Sequence, residues 1–395
     1  MIVGVLGYRY DHYSYVRNVI GKVPGIEYCK VKDLYARLNA TSQIINRFAK
    51  REILSTFDFN HQFYDFNLNK VDLLHLYNGI SYGRTPWVST FETILPRFRN
   101  VVEATHGAAP RFASDQKLHK AINVLAGHAC KQIIAMSDCA SNMLRAVLVE
   151  FGNYREIIEK KLVVMQPPQD LLVTQFDDKG IDLSGPINFM FIGNAFFRKG
   201  GWEIVNSFKK LRDQSRYEII LTVVSDLRMD TYATHETSED IQRAANLMQE
   251  NRTWIKYFPH LPNPEVLDMM KKAHIGLLPT YADSYGYSVL EFQAAGCPVI
   301  STDVRALPEI NNNEAGWMIE VPKNWLGEAI YTTGEDRSAI RSEIQKGLEE
   351  IVEKIFADRS IIRTKSEKAI DSIKSNHSRE DFASRMKAIY TNAVG

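Results

Sequence analysis

Asp283 and Glu291 stand eight residues apart in the stretch DSYGYSVLE, across a polar loop and the opening of an apolar segment. A carboxylate at Glu291, inside VLEFQAAG, is out of place unless it is used, and there it can accept both hydroxyls of a ribose. Asp283 shares its loop with Tyr281, Tyr285 and Tyr287. Between the carboxylates lie the free backbone N–H groups of a helix start, which suits phosphate oxygens. A second cluster, Arg198-Lys199-Gly200-Gly201, also sits at a helix start. Its cations neutralise a diphosphate, its glycines admit close approach, and the helix dipole favours the anion. The cluster is not a Walker motif, because GxxxxGK[ST] is absent. No HExxH, DxD or Cys–His pattern stands out, so the residues point to no metal.

These groups need elements to hold them. Residues 275–278 read as a buried strand ending at Pro279, 288–295 as a helix stopped by Gly296, and 297–301 as another strand. Strand, loop, helix and strand form one parallel unit, whose ligands sit at the carboxyl ends of the strands. Upstream, 187–192 reads as a strand ending at Gly193-Asn194, followed by a loop and a helix over 202–211. Strands at 219–224 and 254–258, the latter ending at Pro259, complete one doubly wound domain with helices at 238–249 and 264–273. Charged helices follow over 336–356 and 360–374.

The first half repeats the plan. Strands read at 1–6, 71–76, 87–91, 101–105, 132–136 and 162–165, with helices at 117–130 and 141–151. The loop after the first strand carries Arg9, Asp11 and His12. A strand over 101–105 places His106 on the ligand-bearing edge of its sheet. Residues 42–54 have helical spacing, with Ile44, Ile45, Phe48, Ile53 and Leu54 apolar. The default reading packs this face on the protein's own core; the other reading lays it on a membrane surface. The polar segment 175–186 is a linker. Domains therefore read as 1–175 and 176–377, with 378–395 as a separate amphipathic helix.

The 395 residues suffice for two or three domains, and 45% hydrophobic with 24% charged residues is ordinary globular composition. Formal net charge is +1, and Tyr281, Tyr285 and Tyr287 are not interleaved with cations, so the sequence points to no nucleic-acid partner. Residues 1–175 carry an excess of about six positive charges and the remainder about five negative. The four cysteines form no CxxC pair and read as thiols in a reducing cytosol. The N-terminus reads as an apolar strand rather than a signal peptide, and no stretch approaches the roughly 20 apolar residues of a spanning helix.

The two-domain plan, RKGG after a strand, and DSYGYSVLEFQAAGCPVIST together resemble the retaining glycosyltransferases of the GT-B fold, family 4 (glycosyl transferases group 1). The usual motif there is E-x7-E, as in EGFGxxxLEAxAxGxPVI; Asp283 stands for the first Glu, and Glu291 is the second. The resemblance implies an α/β GT-B protein with two Rossmann-like doubly wound domains facing across a cleft. It implies a metal-independent hexosyltransferase that moves a sugar from a UDP- or GDP-sugar to a glycan or lipid-linked acceptor, in glycan, glycolipid or cell-surface polysaccharide biosynthesis. The resemblance assigns Arg198 and Lys199 to the donor diphosphate, Glu291 to the ribose, and the amides of Gly286 to Ser288 to phosphates. Asp283 falls to a donor-sugar hydroxyl, His106 to the reaction centre, and Phe258-Pro259 to the nucleobase. Gly193, Asn194, Tyr285 and Tyr287 complete the donor site. Asn194 occupies a place where many relatives have Arg, and Arg198 can supply that charge. The last helix is implied to cross back onto the first domain. The location implied is cytoplasmic, with peripheral contact at the inner membrane face through the first domain. Two other readings stay open: a non-catalytic sugar-nucleotide-binding scaffold, and a GT-B epimerase acting on the sugar nucleotide itself.

Overall fold

This computed structural model describes residues 1–7, 14–54, 56–105 and 115–395; Arg9, Asp11, His12 and His106 lie outside them. The chain divides into two compact units, Met1–Pro168 with Arg379–Gly395, and Gln169–Ser378. Residues 169–173 go with the second unit because their backbone is tied there: Gln169 N–H donates to His377 (2.9 Å), and Leu172 and Val173 N–H donate to Ala294 (2.9 and 3.1 Å).

The first unit contains β1 (Ile2–Leu6), α1 (Ser14–Asn18), β2 (Glu27–Val31), α2 (Leu34–Ala49), β3 (Gln62–Phe63), β4 (Leu73–Tyr77), β5 (Ile80–Ser81), β6 (Trp87–Phe91), α3 (Arg99–Ala104), α4 (Gln116–Ala126), β7 (Cys130–Ala135), α5 (Asp138–Leu148), α6 (Gly152–Glu159) and β8 (Leu162–Val164). Six strands form a parallel sheet in the order β2-β1-β4-β6-β7-β8. The central strands LLHLY and WVSTF are buried throughout, as parallel strands covered on both faces must be. Within that core His75 joins two hydroxyls, Tyr390 at 2.6 Å and Thr90 at 2.8 Å. Tyr390 belongs to the chain's last helix (Arg379–Val394), so this contact anchors the C-terminus on β4.

Two expectations fail here. Residues 101–105 are not a strand. The β-branched pair Val101-Val102 invites that reading, but Phe98 and Asp58 start a helix instead: Val102 N–H donates to the Phe98 carbonyl (2.9 Å) and Arg99 N–H to Asp58 Oδ1 (2.8 Å). The described element before His106 is thus a helix rather than a strand; His106 itself lies outside the described residues. The apolar face of 42–54 is also not packed on the core. Helix α2 ends at Ala49 and buries Asn39 and Ser42, while Ile44, Ile45, Phe48, Ile53 and Leu54 are exposed. Polar contacts set this rotation: Asp33 caps the helix and also accepts from Tyr64 N–H (3.1 Å), and Asn39 bonds Asn60.

The second unit runs β9 (Ile187–Ile192), α7 (Gly201–Ser215), β10 (Ile219–Val224), α8 (Ser238–Glu250), β11 (Ile255–Phe258), α9 (Asn263–Lys272), β12 (Ile275–Leu278), α10 (Tyr287–Ala294), β13 (Val299–Thr302), α11 (Leu307–Ile310), β14 (Trp317–Ile319), α12 (Gly334–Ala357) and α13 (Ser360–Asn376); the terminal helix in the first unit is α14. The parallel order is β11-β10-β9-β12-β13-β14. From β9 the chain builds outward to β11 on one side, then returns to build β12 to β14 on the other. The switch point is thus the crevice between the carboxyl ends of β9 and β12, where such sheets take ligands. Both units are Rossmann-like. Among the described residues no helix is long and apolar enough to cross a membrane.

Candidate active site

The loops after β9 and β12 meet at this crevice. Arg198 contributes a backbone carbonyl that accepts from Tyr281 N–H (2.9 Å) and Thr280 Oγ1 (3.0 Å). Gly200 makes the approach possible. Its φ is +84°, and a Cβ there would stand 2.1 Å from the Pro279 carbonyl oxygen. Gly286 does the same at the start of α10, with φ +93° and a would-be Cβ 2.5 Å from Leu307. It caps the helix without a side chain, so no cap oxygen covers the first N–H groups. Gly193 closes β9, and beyond Asn194 the Ala195 N–H is held by Asp226 Oδ1 at 2.7 Å.

The charges arranged here are paired within the chain. Lys199 forms an ion pair and hydrogen bond with Asp283. Burial pushes the Asp283 carboxyl up, but the Lys199 charge and hydrogen bond, with Arg198 and the Tyr285 N–H, more than reverse this and hold it below the usual carboxylate range. Arg198 stands 3.2 Å from Asp230, with its guanidinium 5.9 Å from the centre of the Tyr232 ring. Tyr232 accepts at its hydroxyl from Arg305 (3.1 Å), which also pairs with Glu328 and donates to the Asp283 carbonyl (3.4 Å). Burial works against the Arg305 charge, yet Glu328 and the Tyr232 hydroxyl raise its basicity overall.

Glu291 is buried on α10, four residues from Tyr287 and on the same helix face. Tyr285 is buried, with its ring 5.4 Å from that of Tyr287. Phe258 and Pro259 end β11, two strands from β9, about 10 Å along the same carboxyl edge. Phe258 is half-buried and Pro259 exposed. The structure thus gathers Gly193, Arg198, Lys199, Asp283, Tyr285, Gly286 and Glu291 around one crevice, with Phe258-Pro259 farther along its rim.

Sequence reasoning missed Asp226, which holds the Ala195 N–H, Asp230, which pairs with Arg198, and the Arg305–Glu328 pair. It also missed Glu203, in the first turn of α7, which is 2% exposed and accepts from Tyr281 OH (2.9 Å) beside Arg341 (3.3 Å). Burial raises the Glu203 carboxyl, with Arg341 and Tyr281 pulling it back. A glutamate on the apolar face of WEIVNSF was its one sequence signal.

Residues 174–341 match the family model described as Glycosyl transferases group 1. Among curated relatives, the D-inositol 3-phosphate glycosyltransferase of Corynebacterium efficiens is 22% identical over 223 residues, 53% of this chain and 52% of that protein. The chain therefore spans about half the length of that relative. Among solved structures, WaaG, a glycosyltransferase involved in lipopolysaccharide biosynthesis, superposes with TM-score 0.55 at 14% identity, over 98% of this chain and 99% of that one. HepE of Anabaena, in complex with UDP and glucose, gives TM-score 0.51 at 12% identity, over 92% and 85%. These likenesses establish the GT-B fold, and with the family model they support a group 1 glycosyltransferase.

Proposed function

We propose that the chain is a retaining glycosyltransferase of family 4, moving a hexose from a UDP- or GDP-sugar to an acceptor hydroxyl without a metal. The observation that carries this reading is the convergence of Arg198, Lys199, Asp283 and the uncapped start of α10 at the switch point of one sheet. A diphosphate meets two cations and a helix start there, a substitute for a divalent ion on the leaving group. Glu291 takes the ribose hydroxyls, and Phe258-Pro259 border the base with Gly193, Asn194, Tyr285 and Tyr287 around the donor. When the diphosphate engages Lys199, the Asp283 carboxylate is released to a sugar hydroxyl. The bond from anomeric carbon to phosphate oxygen breaks, the acceptor oxygen takes its place on the same face, and a donor phosphate oxygen receives the acceptor's proton. His106 belongs to this reading as the first domain's contribution, in a compact N-terminal domain completed by the last helix. The acceptor is a glycan or a lipid-linked sugar on a cytoplasmic route to surface polysaccharide.

The test is a panel of nucleotide sugars, scored first by thermal stabilisation and then by product with candidate acceptors. Transfer with retention, lowered by Lys199→Ala and by Glu291→Ala, is the expected result. Binding without product identifies a scaffold, and conversion of the donor without acceptor identifies an epimerase. Wild-type transfer by the Lys199→Ala/Glu291→Ala protein rejects the site.

A further inference from the structure

Helix α2 has its apolar side turned to solvent. It buries Asn39 and Ser42, and on the opposite side Leu38, Ile44, Ile45 and Phe48 are 41, 56, 40 and 84% exposed. Leu38, Ile45 and Phe48 recur at the spacing of one helix face, with Ile44 beside them. The chain after the helix extends the patch. Asn46 Oδ1 accepts from the N–H groups of Ile53 (2.8 Å) and Leu54 (3.0 Å), and its Nδ2 donates to the Leu54 carbonyl (2.8 Å). This clamp folds the tail back beside the last helical turn and presents two more exposed apolar side chains, Ile53 and Leu54.

Around the patch the charge has one sign. Residues 34–51 carry Arg37, Arg47, Lys50 and Arg51, all exposed, and no acid. The next acid, Glu52, is bidentate with Arg99. A contiguous apolar patch of this kind marks an interaction site. Cations beside an apolar stripe are the composition of an interfacial helix, whereas the core of a protein–protein contact is depleted of charge. We infer that α2 and residues 50–54 seat the protein on an anionic lipid surface. Phe48 and the isoleucines enter the acyl boundary, while the arginines and Lys50 keep their charges at the lipid phosphates and bury their stems. This inference does not depend on the sugar-transfer reading.

Co-sedimentation of the full chain with vesicles tests it, using phosphatidylcholine alone or mixed with phosphatidylglycerol. Binding to the mixed vesicles only, weakened by salt, is expected. Arg47→Gln/Lys50→Gln should lower partitioning roughly fivefold for each charge removed, and Phe48→Ser roughly tenfold or more. All three positions are exposed, so the variants should keep the wild-type circular dichroism and melting temperature. Failure to bind the mixed vesicles overturns the inference, as does equal binding by wild type and variants. So does a dimer in sedimentation velocity that Phe48→Ser dissolves while vesicles capture neither protein, since a second copy would then cover the patch. Donor titrations report the crevice separately and should be the same in all these proteins.

Discussion

The Lys199 ammonium and the Asp283 carboxylate form an ion pair across the crevice between β9 and β12. The family resemblance implied separate tasks for them, one at the diphosphate and one at the sugar. Their contact makes the tasks dependent on each other, because a group that claims Lys199 must compete with Asp283. Arg198 repeats the arrangement with Asp230. Both cations are thus held in position and neutralised by carboxylates, the buried Asp230 and the half-buried Asp283.

Substitutions at this pair should act in opposite directions on binding. Lys199→Ala removes a charge-assisted contact to the diphosphate, about 1.5–3 kcal/mol, and leaves Asp283 without its main partner. Calorimetry with UDP and GDP should show affinity for the binding nucleotide falling roughly 10- to 100-fold. Asp283→Asn keeps the shape and removes the competitor. Diphosphate affinity should then hold or rise, while sugar transfer falls roughly 100-fold or more, the size of loss seen when a single stabilising contact to a transition state is removed. Loss of diphosphate affinity in Asp283→Asn would show that the pair does not compete with the ligand.

The second domain was legible because its pattern was local. Apolar strands ending at Gly193 and Pro279 and a glycine-bounded apolar helix fix the parallel units, and those units put their loops on one edge. Asp226, Asp230, Arg305 and Glu328 carried no such signal, since their partners come from distant loops. Arg305, for example, reaches Tyr232, Asp283 and Glu328. The first domain misled where local polar bonds overrode side-chain pattern. Asp58, accepting from the Arg99 N–H, starts α3 where a β-branched run invites a strand, and Asp33 and Asn39 turned α2 so that its apolar face looks outward.

Gly200→Ala should damage both stability and binding. The added methyl meets the Pro279 carbonyl at 2.1 Å in a backbone of φ +84°, so the two site loops must part. Strain and overpacking together make a loss of about 2–4 kcal/mol. Thermal melts should show it, and nucleotide titration should show weaker binding at temperatures where the variant is still folded. Gly185→Ala is the control, because no atom lies within 4 Å of a Cβ there; it should stay within about 0.5 kcal/mol of wild type.

The Arg305–Glu328 pair can be separated from the chemistry it supports. Arg305 and Glu328 side chains are 8% and 1% exposed, so Arg305→Met leaves a buried carboxylate unpaired. A destabilisation of about 3–5 kcal/mol is expected by chemical denaturation. Arg305→Met/Glu328→Leu removes both charges and should recover most of it. The double variant should still bind nucleotide less well than wild type, because the Asp283 carbonyl and the Tyr232 hydroxyl have lost their shared donor. Full recovery of binding along with stability would restrict Arg305 to a packing role.

Acid should loosen the first unit through His75. Burial pushes this imidazole down from 6.5 to about 3, and its nitrogens lie between Tyr390 on α14 and Thr90 on β6. The unfolded chain takes up a proton near 6.5, while the folded chain resists it until about pH 3. The contribution is therefore complete above pH 6.5 and is lost progressively as pH falls toward 3, by an amount on the order of a few kcal/mol. His61, also held down to about 3 by burial and by the Arg97 charge, acts in the same direction. Urea midpoints measured between pH 7 and 4 should fall steeply for the wild type. His75→Asn, which keeps an amide between the two hydroxyls but cannot titrate, should be less stable at pH 7 and show a shallower slope. Because His75 takes up a proton in this range only when its buried contact with Tyr390 opens, amide exchange in α14 should accelerate on acidification in the wild type more than in His75→Asn. An unchanged slope in the variant would assign the acid sensitivity to His61 and the carboxylates.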